Sequence, residues 1–320
     1  MDLKLYLQNS NTGTVYDISD LASDIQIAKN IEGNAGKLTA LLQKDPNNIL
    51  QIANGSIVSF IADGVGIFFG YIFTIGTDAK ETYKITAYDQ LRYLKNEEVY
   101  VTKNLTASQI FEKICYDNQL RYQIKVPSNY VPSAFLHDKK TLYDIINRGR
   151  KMANVYENRQ YYITDEFGIL TWSELSAEKT NLILGEGSLL TDYQYERSID
   201  KDSFNQIKIY RDNQTSGKRD VWLAKDSNNL KRWGKLQYLQ KADENDTEAM
   251  IQETLQKLLK VKNRETQTLK LNALGVNELQ AGKGFRFILN RENINQDMWI
   301  VSSTHNYNKD SHTMSLEVYI

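Results

Sequence analysis

Cysteine, proline and histidine are scarce in this sequence, and each shortage narrows what the protein can be. A single cysteine, Cys115, among 320 residues rules out a disulfide within the chain and any multi-cysteine zinc or iron–sulfur site. Cys115 falls on a predicted helix face beside Ile114, so we expect a buried structural thiol. Only 3 prolines stand against 20 tyrosines. This usage favours a sheet-rich protein, because tyrosine suits strands and proline does not.

Long apolar runs and an excess of one charge are also missing. The longest uncharged apolar stretch, residues 64–77, is shorter than the ~20 residues that a membrane-spanning helix needs. The first residues alternate like a strand and show no signal-peptide pattern, so we expect synthesis and assembly in the cytoplasm. Lys and Arg total 39 against 40 Asp and Glu. Nothing in this balance predicts binding to a membrane or to a specific nucleic acid.

The apolar pattern that is present divides the chain into three segments. Two outer segments alternate with the period of strands, and the segment between them has the period of helices. We therefore expect an α+β protein that is mainly β, with two small β-barrel domains and an intervening α+β domain. The predicted boundaries are 1–95 for the N-terminal barrel, 96–180 for the α+β domain, and 181–320 for the C-terminal barrel with one covering helix.

Local signals mark individual elements in the first two segments. Asp63 and Gly64 separate two apolar runs and predict a tight hairpin. Thr106 and Gln109 form a capping box that predicts the start of a helix, and a second helix is predicted from Thr141. After it we expect a hairpin whose strands are residues 155–164 and 169–172, with exposed acids in its turn.

The last segment is predicted to contain several strands, a helix and a terminal hairpin. Asn245 with Glu248 is expected to cap the helix, which would cover one side of the barrel. The hairpin joins residues 298–307 to 311–320, and the apolar residues of its second strand alternate with polar ones up to Ile320. Because chain termini are normally polar and frayed, we expect this strand to fit against a sheet or a neighbouring subunit.

No arrangement of residues predicts catalysis, a cofactor or a metal site. The glycine pairs at 64–66 and 282–284 read as turns, because neither opens a helix as a phosphate-binding loop does. His305 and His312 could face each other across the terminal hairpin, but with His137 they form no typical zinc set. Asp165 and Glu166 are adjacent carboxylates of a kind that chance supplies in a sequence with 40 acids.

The four tryptophans have two possible roles, as core residues of strands or as anchors of an interface or a sugar site. Trp172 and Trp299 favour the core. Trp222 and Trp233 flank a predicted polar turn at residues 225–229, so we expect this pair to be exposed. With Val318 and Ile320 of the last strand, they are the candidate interface residues.

Several ordered strings resemble a known protein family. They are residues 66–72 (GIFFGYI), residues 87–94 (AYDQLRYL), the capped helix from Thr106, residues 273–275 (ALG) with Leu279 and Gly282, and residues 313–317 (TMSLE). In this order they resemble the XkdQ- or YqbQ-like baseplate hub proteins of contractile phage tails and tailocins, within the late control protein D superfamily. The resemblance covers nearly the whole chain.

The resemblance implies a structural role without catalytic residues or cofactors. Such hubs form a homotrimeric ring in which two similar barrels per subunit match the hexameric tail tube to the trimeric central spike. The implied partners are the tail tube protein, the central spike protein, a LysM-containing tail protein and baseplate wedge proteins. The protein would then belong to the particle of a prophage tail or an R-type tailocin.

Two other functions stay open at this point. One is a peptidoglycan hydrolase, which would release muropeptides from cell walls. The other is a glycan-binding tail module, whose binding would depend on Trp222 or Trp233.

Overall fold

Twenty-one strands and four α-helices make up the part of the chain that the structure, a computed structural model, describes: residues 1–45, 49–79, 82–213, 217–242 and 246–319. The first segment contains β1 (Leu3–Gln8), β2 (Val15–Asp17), β3 (Ala22–Asn30), β4 (Lys37–Gln43), β5 (Ile57–Ala62), β6 (Val65–Thr77) and β7 (Thr82–Tyr88). The middle segment contains β8 (Glu97–Thr102), α1 (Ala107–Asp117), β9 (Tyr122–Ile124), β10 (Phe135–Thr141), α2 (Leu142–Glu157), β11 (Tyr161–Asp165) and β12 (Leu170–Glu174).

The last segment is the longest and alternates strands with two helices. Its elements are β13 (Lys179–Gly185), β14 (Leu190–Ser198), β15 (Gln206–Asn213), β16 (Lys218–Lys225), α3 (Ser227–Trp233), β17 (Gln237–Lys241), α4 (Glu248–Lys262), β18 (Thr266–Leu274), β19 (Gly284–Leu289), β20 (Ile294–Asn308) and β21 (Ser311–Tyr319). The protein is therefore mainly β, as the sequence predicts.

One long sheet joins the two outer segments. Its main path runs β14-β18-β21-β20-β3-β4-β7-β6-β5-β1-β2, and β19 pairs with both β20 and β13. The link between the segments is the antiparallel pair of β3 and β20, from Ser302 opposite Asn30 to Tyr307 opposite Ile25. Because this path stays open among the described strands, the prediction of two small barrels is not confirmed. A period-two pattern fixes which face is buried but does not reveal which strands pair.

Two hydrophobic cores lie against the same face of this sheet. The first is built from β1 and β3–β7, and the second from β18–β21. β20 serves both: Ile300 belongs to the second core and Tyr307 to the first. A bulge at Val301 inserts one extra residue between these two parts. Before the bulge the buried residues of β20 have even numbers, such as Ile300, and after it they have odd numbers, such as Tyr307. The extra residue keeps both sets on the same face of the sheet.

The middle segment has a core of its own, and its helices begin where the sequence predicts. Thr106 and Gln109 form the predicted capping box of α1, and the Thr141 hydroxyl accepts from the Asp144 backbone at the start of α2. The predicted strand from residue 155 is wrong at its start, because α2 continues to Glu157 and ends at Asn158 in the left-handed conformation. The hairpin that follows is shorter than predicted, with β11 and β12 as its strands.

A small α+β unit interrupts the last segment between β14 and β18. β15 lies between β16 and β17 in a separate three-stranded sheet, and α4 packs on one face of it around a fourth core. α4 therefore covers this small sheet and touches α2, whereas the sequence suggested that it covers a barrel. Its N-cap is Thr247, and the predicted cap Asn245 lies outside the described residues.

Both predicted tight hairpins are present. Asp63 and Gly64 have positive φ angles of 49° and 78° and connect β5 directly to β6. β20 and β21 form the terminal hairpin, with Tyr307 opposite His312. Alternate residues of β21 are buried, as its pattern predicts.

Candidate assembly surfaces

The face of the long sheet that points away from the cores is polar. We call it the outer face; around the joint of the two halves it is formed by Gln26, Thr39, Thr86, Ser302, Thr304 and Asn306, all half-buried. The Gln26 amide donates to Asn306 Oδ1 at 2.9 Å across that joint. Two depressions of about 620 and 380 Å³ lie on this face. The outer face is therefore concave, and the larger depression adds lysines, Arg92 and two aromatic rings.

Among the described strands, the sheet has unpaired margins at β2, at β13, at β14 and along part of β6. β14 pairs only with β18. β6 pairs with β5 along residues 65–71, but beyond residue 71 its pairing is with β7 alone. The backbone groups on the free sides of β14 and of residues 73–77 can therefore accept another strand.

A short two-stranded ribbon, β8 with β10, exposes apolar side chains. Leu136 lies opposite Val101, and Val99 shares their face because it is two residues away in the same strand. Each of the three is between 55% and 61% exposed. Glu97 is the next residue on this face and is also exposed. We call Glu97, Val99, Val101 and Leu136 the ribbon patch.

The small sheet exposes a second apolar surface on the face opposite α4. Leu223, Lys208 and Leu239 lie in one cross-strand row, and Val221 lies beside Tyr210 in the next row. The three aliphatic residues are between 50% and 54% exposed. We call these five residues the small-sheet face. A sheet whose inner side is covered by a helix normally carries polar side chains on its other side. An exposed apolar outer side is therefore unusual.

The three predicted interface residues that the structure describes, Trp222, Trp233 and Val318, do not form one surface. Trp222 is half-buried on the inner side of the small sheet, where its indole donates to Glu248 at 3.5 Å and Arg211 lies 5.4 Å from its ring centre. Trp233 is the last residue of α3, which begins inside the predicted polar turn because Asp226 caps it. Val318 is fully buried in the second core, so its side chain does not reach a neighbouring subunit. Ile320 lies outside the described residues.

The aliphatic residues that are exposed on the small sheet were not predicted from the sequence. In β16, Val221 and Leu223 alternate with Trp222 and Ala224, so both faces of that strand carry apolar residues. This two-sided pattern was the available signal for an unusual outer surface. Of the two tryptophans predicted to be in the core, Trp172 is fully buried there, whereas Trp299 is half-buried.

A buried charge cluster lies where the first and middle segments meet. The Lys29 amine donates to the carbonyl oxygen of Ile67 at 2.8 Å and contacts that of Asp165 at 3.4 Å. Asp89 accepts from the backbone of Gly36 and Leu91, and Asp165 accepts from Gly168 at 2.6 Å and from Gln90. The turn acid Asp165 is thus buried, contrary to the prediction, because its carboxylate organises the turn and ties it to the first segment.

Burial shifts the ionisation of all three groups. It raises the pKa of the Asp89 carboxyl well above its usual range, with repulsion from Asp165 adding to the effect, and it also raises the pKa of Asp165. The pKa of the Lys29 amine is lowered by burial against the attraction of both carboxylates. Raised carboxyl pKa values can mark catalytic acids, but Asp89 and Asp165 are each 2% exposed and bonded to backbone. A substrate does not reach them in this conformation.

The histidines of the terminal hairpin contact each other, as the sequence suggested. His305 Nδ1 and His312 Nε2 are 2.9 Å apart, and Tyr307 stacks on His312. Burial, together with the neighbouring His312, lowers the pKa of His305 to about 3, and burial lowers that of His312 to about 4. Within the described ranges, no three His, Cys, Asp or Glu side chains are grouped to hold a metal ion.

The remaining predictions concern the single cysteine and the lack of a membrane-spanning helix. Cys115 is buried and unpaired, and burial raises the pKa of its thiol. Of the helices in the described part of the chain, none is long and apolar enough to span a membrane.

Solved structures of phage tail proteins share this fold. A 43 kDa tail protein of prophage MuSo2 from Shewanella oneidensis superposes with a TM-score of 0.73 at 14% identity, with 98% of each chain covered. A tail protein from Neisseria meningitidis MC58 gives a TM-score of 0.74 at 12% identity and covers 100% of this chain and 97% of its own. At these identities the likeness establishes the fold.

Comparison of sequences is more specific. The Bacillus subtilis (strain 168) protein YqbQ is 27% identical over 284 residues, which cover 87% of this chain and 85% of YqbQ. The phage-like element PBSX protein XkdQ of the same strain is 28% identical over 286 residues, covering 88% and 86%. The predicted resemblance to XkdQ- and YqbQ-like proteins is confirmed. Residues 25–319 match the family described as YqbQ-like, and the chain therefore belongs to that family.

Proposed function

We propose that this protein is a structural component of a phage-type tail, a baseplate hub whose trimeric ring joins the hexameric tail tube to the trimeric central spike. Membership of the YqbQ-like family and the shared fold with prophage tail proteins support a tail role. The relative XkdQ is named as a protein of the PBSX phage-like element. Under this proposal the subunit assembles in the cytoplasm and then becomes part of a phage tail or tailocin particle.

The observation that carries the ring proposal is the side-by-side placement of the two outer segments in one sheet. Each segment contributes strands and a core, and β3 and β20 hold the two together. Three copies would present six such units in a circle. A ring with threefold symmetry but six similar units can meet a hexameric tube on one side and a trimeric spike on the other.

The margins of the sheet support a closed arrangement of copies. Two of these margins, β14 and residues 73–77 of β6, have free backbone groups on their outer sides. Pairing of one margin with the opposite margin of the next copy would remove both exposed edges. The concave polar outer face would then line the central passage.

The partners follow from this position in the particle. We propose that the tail tube protein contacts one end of the ring and the central spike protein the other, with a LysM-containing tail protein and wedge proteins at the periphery. The proposed role involves no catalysis. Neither alternative function is favoured by an observation, because Asp89 and Asp165 are enclosed and Trp222 faces inward.

Electron microscopy of labelled particles tests the proposal. A short gold-binding tag inserted at Gly13 is suitable, because a side chain there would meet nothing within 4 Å. Particles purified from the producing cells should carry three labels in one plane at the junction of tube and spike. A label along the tube, on the fibres or absent from the particles would overturn the hub assignment.

A further inference from the structure

We propose that the ribbon patch of one copy packs on the small-sheet face of the next copy, which gives the ring a second, peripheral contact. This inference rests on the proposed ring. It concerns surfaces outside the long sheet, since the ribbon belongs to the middle segment and the small sheet to the inserted unit.

Both surfaces expose clusters of aliphatic side chains, as surfaces that bind another protein do. Among the described residues, they are the two sheet faces on which three aliphatic side chains are each at least 50% exposed: Val99, Val101 and Leu136, and Val221, Leu223 and Leu239. Other exposed apolar residues are dispersed singly or in pairs, which is normal for a protein surface. Clustered apolar side chains on a regular face are typical of a contact with another protein.

The charges of the two surfaces are complementary. Lys208 lies at the centre of the small-sheet face between Leu223 and Leu239, and it has no ion pair within the described residues. A docked surface that left this ammonium group covered and unpaired would be penalised. The ribbon patch supplies the missing carboxylate, because Glu97 lies on the same face as Val99 and Val101 and is also without an ion pair in the described part of the chain.

The dimensions of the two surfaces also agree. The row from Leu223 through Lys208 to Leu239 spans three strands, or about 10 Å, and the outward residues of β8 from Glu97 to Val101 span about 13 Å. Two faces of this size can pack as sheets do, with aliphatic side chains between them. Glu97 can then reach Lys208 while the valines of the ribbon contact the leucines.

Complementarity also determines the symmetry of the contact. Two small-sheet faces packed on each other would bring two Lys208 ammonium groups together, whereas two ribbon patches would leave both Glu97 carboxylates without a cation. Like charges at the centre of an interface are unfavourable. The contact is therefore heterologous, from the ribbon of one copy to the small sheet of the next, which is the type that closes a ring.

Paired cysteines test the contact in assembled particles. A chain with Leu136→Cys and Leu239→Cys should form disulfide-linked trimers on mild oxidation, because each copy offers one cysteine to each neighbour. Either substitution alone should give no linked trimer, and the native Cys115 is buried. Absence of links between copies in the double variant would overturn the proposed contact.

Charge exchange provides an independent measurement. Lys208→Glu or Glu97→Lys should each lower the yield of intact particles or the cross-linked fraction at least tenfold, and the two together should restore most of it. Lys309→Glu, at the exposed turn of the terminal hairpin, is the charge-matched control and should have no effect. Loss in both single variants without recovery in the double variant would contradict the pairing of Lys208 with Glu97.

The label at Gly13 separates this inference from the proposed function. A label at the tube–spike junction together with no cross-link between copies would leave the hub role standing and refute the peripheral contact. A label elsewhere with efficient cross-linking would refute the hub role and retain the contact between copies.

Discussion

At the scale of single residues, Lys29 is a cation enclosed with two buried carboxyl groups. Replacement by methionine should lower the free energy of unfolding by about 1–3 kcal/mol, because the Ile67 carbonyl loses its buried donor and the two carboxyls lose the attraction of the amine. Adding Asp165→Asn to Lys29→Met should recover part of that loss, since it removes the uncompensated charge. Urea unfolding measures all three chains.

The exposed Lys84 supplies the control for this experiment, because Lys84→Met removes a lysine at a solvent-facing position. Its effect should stay within about 0.5 kcal/mol. Equal losses in Lys29→Met and in the double variant would show that Asp165 and Lys29 are not coupled.

The histidines of the terminal hairpin predict a dependence of stability on pH. His305 and His312 stay neutral in the folded state down to about pH 3 and pH 4, whereas unfolded histidine gains a proton near pH 6.5. At these two histidines the unfolded state therefore binds more protons between about pH 6.5 and 4, so their contribution to stability falls as the pH is lowered. In His305→Gln this slope should be shallower by up to about 1.4 kcal/mol per pH unit.

The comparison with the wild type is needed because buried carboxyls act in the opposite direction. The raised pKa values of Asp89 and Asp165 mean that the folded state holds their protons more tightly, so these groups stabilise the protein as the pH falls. Thermal unfolding of both chains at pH 7, 6, 5 and 4.5 isolates the contribution of His305. Parallel curves for the two chains would contradict its assignment as a buried neutral group.

At the scale of elements, the capping box of α1 should stabilise the folded protein by about as much as N-cap residues do in other helices. Thr106→Ala should cost about 1 kcal/mol, because the Gln109 backbone amide loses its acceptor. Gln109→Ala removes the reciprocal bond to the Thr106 backbone. The two substitutions should be less than additive in a double-mutant cycle measured by chemical unfolding. Strict additivity would indicate that the two bonds form independently.

The same helix shows which elements the sequence could predict. The cap at Thr106 and the apolar stripe through Ile110 and Phe111 are local, so their signal lies within one short window. Strand pairing is different: Gln26 contacts Asn306 across 280 residues, and no local pattern names that partner. The predicted start of the hairpin after α2 was wrong for a related reason. Val155 has a propensity for strands, but it lies in α2 and packs against the fourth core, and such tertiary contacts override local propensity.

The candidate surfaces were predicted less well than the elements. Tryptophan suggested exposure at Trp222, but its ring fits between Arg211 and the start of α4. The exposed residues are ordinary aliphatics, such as Leu223 and Leu136, whose type alone points to a core. They differ from core residues only in lying on a face that no other element covers. Which faces are covered depends on the complete fold and not on the residue type.

At the scale of the whole molecule, Tyr307 should link the stability of the two outer segments. Its ring lies 4.8 Å from Phe60 in the first core, although it belongs to a strand of the last segment. Tyr307→Ala should cost about 3–5 kcal/mol and should increase hydrogen exchange in β5 and β6 as well as in β20. Tyr307→Phe removes only the bond to Asn277 and should cost about 1 kcal/mol.

Hydrogen exchange resolved by mass spectrometry distinguishes this coupling from independent halves. If β5 and β6 kept their full protection in Tyr307→Ala while β20 lost it, the first core would not depend on the last segment. Phe287→Ala, a cavity confined to the second core, is the matched comparison.

The joint between β3 and β20 also sets the order of events on the ribosome. At a synthesis rate of 5–20 residues per second, about 14 to 56 s pass between the emergence of Gln26 and that of its partner Asn306, which is 280 residues away. During this interval the nascent chain presents β3 with an open edge and a first core that lacks Tyr307. We expect such an intermediate to need shielding by a chaperone, because an unsatisfied strand edge recruits other strands.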